Sequence, residues 1–268
     1  MPLLPGGTLF AHIKALDPAQ LPEVSTRFYG AQIALALGEL HARGVLYLDL
    51  KLENVLISAA GDAVLVDFGL AQQGVDVAAG ATAKRVGGTR AYLSPEAISS
   101  NHVGAAADWW ALGVVLFEML TGGAPFVGAD KKALQASICN CRMRFPAEST
   151  VSGEARSLVR RLLAKQPEQR LGVAAGVAEV QSHPFFRGLD WAALLACELQ
   201  PPHVPVLEHD ADVRHFEAKY TAQPARITDI EPSGRPAHAA ETLHSGAFDF
   251  TSATWPSHPG SRGVVGAV

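Results

Sequence analysis

The stretch DLKLEN, residues 49–54, is followed thirteen residues later by DFG, residues 67–69, and these two segments decide the fold. Between them lie two short apolar runs, residues 55–57 and 63–66. A Gly-Asp pair at residues 61–62 separates the runs and is typical of a tight turn. The sequence therefore predicts a short β-hairpin flanked by two polar loops.

Regular patterns of apolar residues predict a mainly helical fold around this hairpin. Pro22 suits the first turn of the first predicted helix, and Gly44 suits its exit. The second predicted helix is apolar on nearly every side, which is typical of a helix buried all round. Residues 67–96 show no such period and predict a long functional loop. The predicted helices cover residues 21–42, 107–120, 129–139 and 153–164.

The composition is that of a folded, mildly acidic chain. Hydrophobic residues make up 48% of the 268 residues and charged residues 18%, which allows a sizeable buried core. A net charge of -4 argues against binding to nucleic acid or an anionic membrane. The longest apolar stretch is about twelve residues, so we expect no transmembrane segment. Three cysteines form neither a disulfide framework nor a zinc ligand set, which favours an intracellular location, cytoplasmic or nuclear.

Asp49, Asn54 and Asp67 carry the side chains that phosphoryl transfer requires. That reaction needs a carboxylate to orient the attacking hydroxyl and accept its proton, and oxygen ligands that hold Mg²⁺ on the phosphates. Asp49 and Asn54, five residues apart on one loop, can point at the hydroxyl and at the metal, and Asp67 can chelate the metal from the other side. The alternative is that all three are ordinary turn residues, since these types are common in turns.

Five segments together resemble a protein kinase: YLDLKLEN, DFGLA, GGTRAYLSPEA, DWWALGVVLFEML and QRLG occur in kinase order and spacing. The KLEN form, the paired tryptophans and the C-terminal sequence are similar to the protein kinase B and protein kinase C branches of the AGC serine/threonine kinases. The resemblance implies a mainly α (α+β) fold, a kinase C-lobe with a short β-hairpin at the active site. It implies a C-lobe at residues 1–186, an AGC tail at 187–252 and a disordered end at 253–268.

The resemblance implies transfer of phosphate from ATP, with Mg²⁺, to Ser or Thr of protein substrates. Asp49 would be the catalytic base, and Lys51 would neutralise the transferring phosphate. Thr89 would brace both side chains, and Asn54 and Asp67 would hold Mg²⁺. The ATP contacts implied by the family are Met1, Leu4, Glu53, Asn54, Leu56, Asp67 and Phe216.

Three further charged residues are expected to support the lobe. The resemblance implies that Glu96 forms an ion pair with a buried Arg170 and that Asp108 accepts backbone hydrogen bonds from the catalytic loop. Buried charges persist when they are paired, so a structural role is the main expectation for these three. Glu53 and Glu118 match positions that select basic substrates in the family, and simple solvation is the alternative for them.

The nucleotide side departs from the family pattern. No G-x-G-x-x-G and no lysine like that of the VAIK motif precedes the catalytic loop. We therefore expect a truncated form that lacks the N-terminal β lobe and whose isolated chain is nearly inactive. The alternative is a catalytically inactive kinase-like binding or scaffold module.

Regulation also departs from the family. Leu48, Gln72 and Arg85 stand where the family has two cations and a phosphorylated Thr, so control by activation-loop phosphorylation is not expected. Thr228 matches a phosphorylated turn motif, and Asp249 would mimic the phosphate of a hydrophobic motif. That motif would dock on a regulatory partner or on the missing lobe.

Overall fold

The computed structural model describes residues 3–84, 87–100, 102–209, 211–216 and 221. Within these residues the fold is mainly helical with two small two-stranded sheets, which confirms the predicted mainly α class. No helix in this part of the chain has the length and apolar character needed to cross a membrane. The helices are α1 (Leu9–Lys14), α2 (Glu23–Ala42), α3 (Pro95–Ser99), α4 (Ala105–Thr121), α5 (Lys131–Cys139), α6 (Gly153–Leu162), α7 (Val177–Gln181) and α8 (Trp191–Leu195). The strands are β1 (Val55–Ile57), β2 (Ala63–Leu65), β3 (Ala83–Lys84) and β4 (His102–Val103).

Strands β1 and β2 form the predicted antiparallel hairpin, with Val55 opposite Leu65. Every residue of both strands is buried. The amide of Val66 donates to the carbonyl of Asn54 at 3.0 Å, so the pairing continues past the open end of the hairpin. The hairpin therefore places Asn54 beside the residue that precedes Asp67.

Helix α4 forms the centre of the core, as its all-round apolar pattern predicts. It packs against α2 and α6, and its residues from Asp108 to Phe117 are all buried. Gly113 allows the approach of α6, because a Cβ there would lie 2.9 Å from Leu162 Cβ. Gly30 of α2 is less constrained, since its Cβ would lie 2.6 Å from Leu116 Cδ2, the end of a flexible side chain that can shift. Small residues thus set the distances between the three central helices.

Helix ends follow local capping chemistry. Helix α2 begins immediately after Pro22 and is followed by Gly44 at a φ of 70°, both as expected. Helix α5 begins at Lys131, two residues later than predicted, because the side chain of Asp130 accepts the amide of Ala133 at 2.8 Å. Its N-cap therefore determines where α5 starts.

Several short elements were not predicted. Helices α1, α7 and α8 have five or six residues each, too few to show a period. The long loop of residues 67–96 contains β3, which pairs with β4 across α3, with Ala83 opposite Val103. Met1, Arg85, Thr228, Asp249 and the expected disordered end all lie outside the described residues.

Candidate active site

The loop that carries Asp49 is held by the carboxylate of Asp108 on α4. Its Oδ2 accepts the amide of Tyr47 at 2.9 Å, and its Oδ1 accepts the amide of Leu48 at 2.8 Å. Leu48 has a φ of 65°, a left-handed conformation that is unfavourable for a side chain with a Cβ. The two hydrogen bonds stabilise this strained turn, which directs the next residue, Asp49, toward the catalytic cleft.

His41 also contacts this carboxylate, and sequence reasoning missed the contact. Its Nε2 lies 2.8 Å from Asp108 Oδ2, and both side chains are buried. Its position near the end of α2 suggested capping or compensation of the helix dipole. The side chain instead joins α2 to α4 and to the catalytic loop. No pattern along the sequence links residues 67 positions apart.

Three donors fix the carboxylate of Asp49. Lys51 Nζ donates to Oδ2 at 2.5 Å, and Asn54 Nδ2 donates to the same oxygen at 3.0 Å. Thr89 Oγ1 donates to Oδ1 at 3.3 Å and lies 3.4 Å from Lys51 Nζ. Asp49 is only 7% exposed, so these contacts restrict its orientation. The structure therefore brings together all four residues predicted to be catalytic.

The donor set fits a magnesium ion that binds together with phosphates. The Asn54 Nδ2 group donates to the carbonyl of Asp49 at 2.9 Å as well as to its carboxylate, which leaves the amide oxygen of Asn54 for a cation. Asp67 is exposed and uses Oδ1 to accept the amide of Gly69 at 3.2 Å. The described residues contain no cluster of three His, Cys, Asp or Glu that could hold a metal. Mg²⁺ needs no such cage, because one or two protein oxygens, water and phosphate complete its shell.

Tyr47 links the two polar loops. Its hydroxyl donates to the carbonyl of Val66, and its ring packs edge-on against Phe68 with centroids 5.2 Å apart. Burial raises the pKa of Tyr47, and the negative charges of Asp49 and Asp67 raise it further. The Tyr47 hydroxyl therefore lies close enough to the carboxylates of both loops for each to raise its pKa. This proximity indicates that the two loops line the same cleft. Sequence reasoning gave Tyr47 no role, although it lies two residues before Asp49.

A small apolar cluster lies beside this cleft and contains three of the predicted ATP contacts. Leu56 is buried in it with Val64 and Val66, and Leu4 and Phe216 pack against these residues. Phe216 comes from the segment after α8, far along the chain. Glu53 is exposed and is not a member of the cluster.

Glu53 instead raises the pKa of two partly buried side chains, Tyr92 and Glu118. The Tyr92 hydroxyl donates to Glu118 Oε2 at 2.7 Å. Burial and, to a smaller extent, the charge of Glu53 outweigh the lowering effects of the Tyr92 hydrogen bond and of Lys14, and together they raise the pKa of Glu118 to about 7. Thr8, where the family has Glu, accepts the amide of Ala11 and begins α1. An acidic patch thus lies on the side of the catalytic loop where Glu53 projects.

Arg170 and Glu96 form a two-point ion pair in the core. Arg170 Nη1 lies 2.6 Å from Glu96 Oε1, and its Nη2 lies 3.0 Å from Oε2. The remaining guanidinium donors reach backbone carbonyls, including that of Ala106 at 2.8 Å. The guanidinium also lies 5.1 Å from the Trp110 ring centroid. The pair connects α3, which follows the activation segment, to the loop after α6.

Comparisons with known proteins agree with this site. The family model for the protein kinase domain matches residues 1–186. The RAC serine/threonine-protein kinase of Drosophila melanogaster is 40% identical over 85% of this chain and 37% of the fly protein. RAC-beta serine/threonine-protein kinase of Homo sapiens is 42% identical over 83% of this chain and 45% of that protein. Human ribosomal protein S6 kinase alpha-2 is 38% identical over 97% of this chain and 34% of that protein.

The chain thus spans about a third to a half of the length of these curated relatives. The family match nevertheless covers well over half of the chain itself and includes both polar loops. The chain therefore belongs to the protein kinase family, on the AGC serine/threonine branch that its motifs indicate.

Proposed function

We propose that the gene product that contains this chain catalyses transfer of the γ-phosphoryl group of ATP to the hydroxyl of Ser or Thr in protein substrates, and that this chain supplies the catalytic side chains. The observation that carries the proposal is the fixed carboxylate of Asp49, which Lys51, Asn54 and Thr89 hold together. A kinase site supplies positioning and charge rather than covalent chemistry, so an oriented carboxylate and a nearby ammonium are the groups it needs.

The roles of these side chains follow from charge. Asp49 accepts the proton of the substrate hydroxyl as the oxygen bonds to the γ-phosphorus and the bond to ADP breaks. Lys51 lies beside the same carboxylate and stabilises negative charge on the transferring group. Thr89 bridges the two side chains and keeps both facing the cleft.

The amide oxygen of Asn54 and the carboxylate of Asp67 would hold Mg²⁺. Bound there, Mg²⁺ would neutralise negative charge on the phosphates. Leu4, Leu56 and Phe216 offer an apolar surface to the adenine.

We assign residues 1–186 to the C-lobe and residues 187–252 to the tail. Thr228 and Asp249 keep their predicted regulatory roles, and the intracellular location stays a prediction.

The acidic patch of Glu53 and Glu118 supports a preference for substrates with a basic residue near the target hydroxyl. Both carboxylates raise the pKa of Tyr92, which lies in the short helical turn Arg90–Tyr92. Thr89 immediately precedes this turn. A guanidinium or ammonium of the substrate would find negative charge there, near the oriented Asp49.

A phosphotransfer assay on the gene product that contains this chain tests the proposal. We expect Asp49→Asn and Asp67→Asn each to lower kcat by about 10²-fold or more, because one removes the proton acceptor and the other a metal ligand. Asp76→Asn is the matched control, since Asp76 lies exposed in the same long loop and its side chain only accepts the amide of Ala79. Full turnover by the Asp67→Asn variant would contradict its assignment as a metal ligand.

Thermal unfolding separates the enzyme from an inactive binding module. A ligand that binds only the folded state raises the unfolding midpoint. We expect MgATP to raise the midpoint of the wild-type gene product and to raise it less for Asp67→Asn. A binding module without a nucleotide site would show no shift with MgATP and no turnover.

A further inference from the structure

Three histidines meet where the segment after α8 crosses α1. His12 lies on α1, and His203 and His215 lie on the crossing segment. The rings of His12 and His203 are stacked, with centroids 4.0 Å apart and an angle of 29° between their planes. His215 Nε2 donates to the carbonyl of Val206 at 3.1 Å, which folds the segment back on itself.

Two glycines show how closely this segment is docked. A Cβ on Gly7 would lie 2.3 Å from the carbonyl oxygen of His215, and a Cβ on Gly61 would lie 2.3 Å from that of His203. The backbone on both sides of the crossing therefore touches the lobe directly. Release of the segment would break both backbone contacts and separate the rings of His12 and His203.

The cluster disfavours protonation. Burial, together with the neighbouring His203 and His215, lowers the pKa of His12 to about 4. Burial and His215 also lower the pKa of His203. Stacked imidazoles tolerate the neutral form, whereas two cations at this separation repel each other.

The nearby carboxylates are engaged elsewhere. Asp212 accepts the amides of Glu208 and Arg214, and the Arg214 guanidinium pairs with both Asp212 and Glu208. His209 helps to lower the pKa of Asp212. Lys14, on α1, donates a hydrogen bond to the carbonyl of Gly122. Within the described part of the chain, no carboxylate is among the groups that shift His12.

We propose that His12, His203 and His215 form an acid-sensitive latch. It docks residues 203–209 and 211–216 on the lobe while the imidazoles are neutral, and it releases this segment when they bind protons. The latch rests on the proposed function in one respect only: its release would withdraw Phe216 from the apolar cluster that we assign to adenine. Docking itself requires neither nucleotide nor catalysis.

The direction of the pH effect follows from the pKa of His12. The docked form holds this pKa below its ordinary value of 6.5, so the contribution of neutral His12 to docking is fully present above pH 6.5 and decreases as the pH falls toward about 4. From this residue alone, the docked-to-released ratio falls about tenfold between about pH 7.5 and about pH 5.5.

Histidine-selective NMR of the full chain tests the latch without any activity measurement. We expect a ring-to-ring contact between His12 and His203 at about pH 7.5 that weakens by about pH 5.5, and a His12 pKa below 6.5. In H203F the uncharged ring keeps the stack and removes one cation while His12 stays buried, so we expect the ring contact to weaken at a lower pH than in the wild type. The H102Q variant is the control, because the His102 side chain is exposed and its ring nitrogen bonds to the carbonyl of Ser100, away from the three histidines.

A His12 pKa at or above 6.5 in the wild type would overturn the latch, even if every variant failed to fold. A ring contact unchanged by pH in the wild type, or equal loss in H203F and wild type, would also overturn it. An absence of phosphotransfer would contradict the proposed function and leave these NMR outcomes to decide the latch alone.

Discussion

The carboxylate of Asp108 contacts three groups from two parts of the chain: the amides of Tyr47 and Leu48 and the ring of His41. Its sequence position predicted a structural role but not the histidine. The left-handed conformation of Leu48 costs free energy. The loop therefore depends on its hydrogen bonds to Asp108, which is distant in sequence. Catalytic geometry at Asp49 is thus maintained by buried polar groups that do not react.

The Glu96–Arg170 pair allows a prediction about stability. Glu96→Gln would leave the buried guanidinium without its counter-charge, and we expect the free energy of unfolding to fall by about 3 kcal/mol. Adding Arg170→Met should recover part of that loss, because it removes the uncompensated charge. Denaturant unfolding measures both variants, and a double variant no more stable than Glu96→Gln would contradict this explanation.

The pKa of Glu118 allows a prediction about substrates. Because that pKa is about 7, the carboxylate is charged above pH 7 and neutral below it. We expect KM for a peptide with a basic residue near its target Ser to rise as the pH falls below 7, and KM for the same peptide with Ala there to change less. Glu118→Gln should remove the difference in pH dependence between the two peptides. Equal pH profiles in the wild type would argue against Glu118 as a specificity residue.

The central helices owe their spacing to small residues. Gly113 faces α6, where a methyl group would press on Cβ of Leu162, and Gly30 faces α4, where it would meet the flexible end of Leu116. The apolar pattern of residues 107–120 predicted a buried helix, but a pattern does not reveal which glycine faces a neighbour. Only the packed arrangement distinguishes Gly113 from a glycine that merely loosens the helix.

This packing predicts opposite outcomes for two alanine substitutions. Gly113→Ala should lower the free energy of unfolding by about 1 to 3 kcal/mol, because the added methyl overpacks the contact with Leu162. Gly153→Ala, at the first residue of α6, meets no atom within 4 Å and should be neutral or slightly stabilising. Thermal or denaturant unfolding compares the two, and equal effects would refute the overpacking argument.

The activation segment is held without the family's charged switch. Gln72 pairs with Leu46 through the backbone, and its side chain donates to the carbonyl of Lys84 at 2.7 Å. Strand β3 then pairs with β4. A neutral side chain and a short strand pair therefore anchor this segment, which fits the expectation that phosphorylation does not order it. That expectation stays a prediction, because Arg85 lies outside the described residues.

The lobe as a unit joins segments that are distant in sequence. Phe216 reaches the apolar cluster beside Leu56, and His203 and His215 reach α1. The proposed adenine contact Phe216 and the proposed latch histidines His203 and His215 therefore lie on one segment. The proposed latch would therefore make the affinity for nucleotide depend on pH through that segment.

The sequence by itself determined the mainly helical class, the β-hairpin and the chemistry of the two polar loops. These features depend on local periodicity, turn residues and side-chain type, all of which lie within a few residues of each other. The tertiary structure alone decided the contact of His41 with Asp108, the bridge made by Tyr47 and the stacking of His12 on His203. Each of those contacts joins segments that only the packing of the core brings together, so no local pattern encodes them.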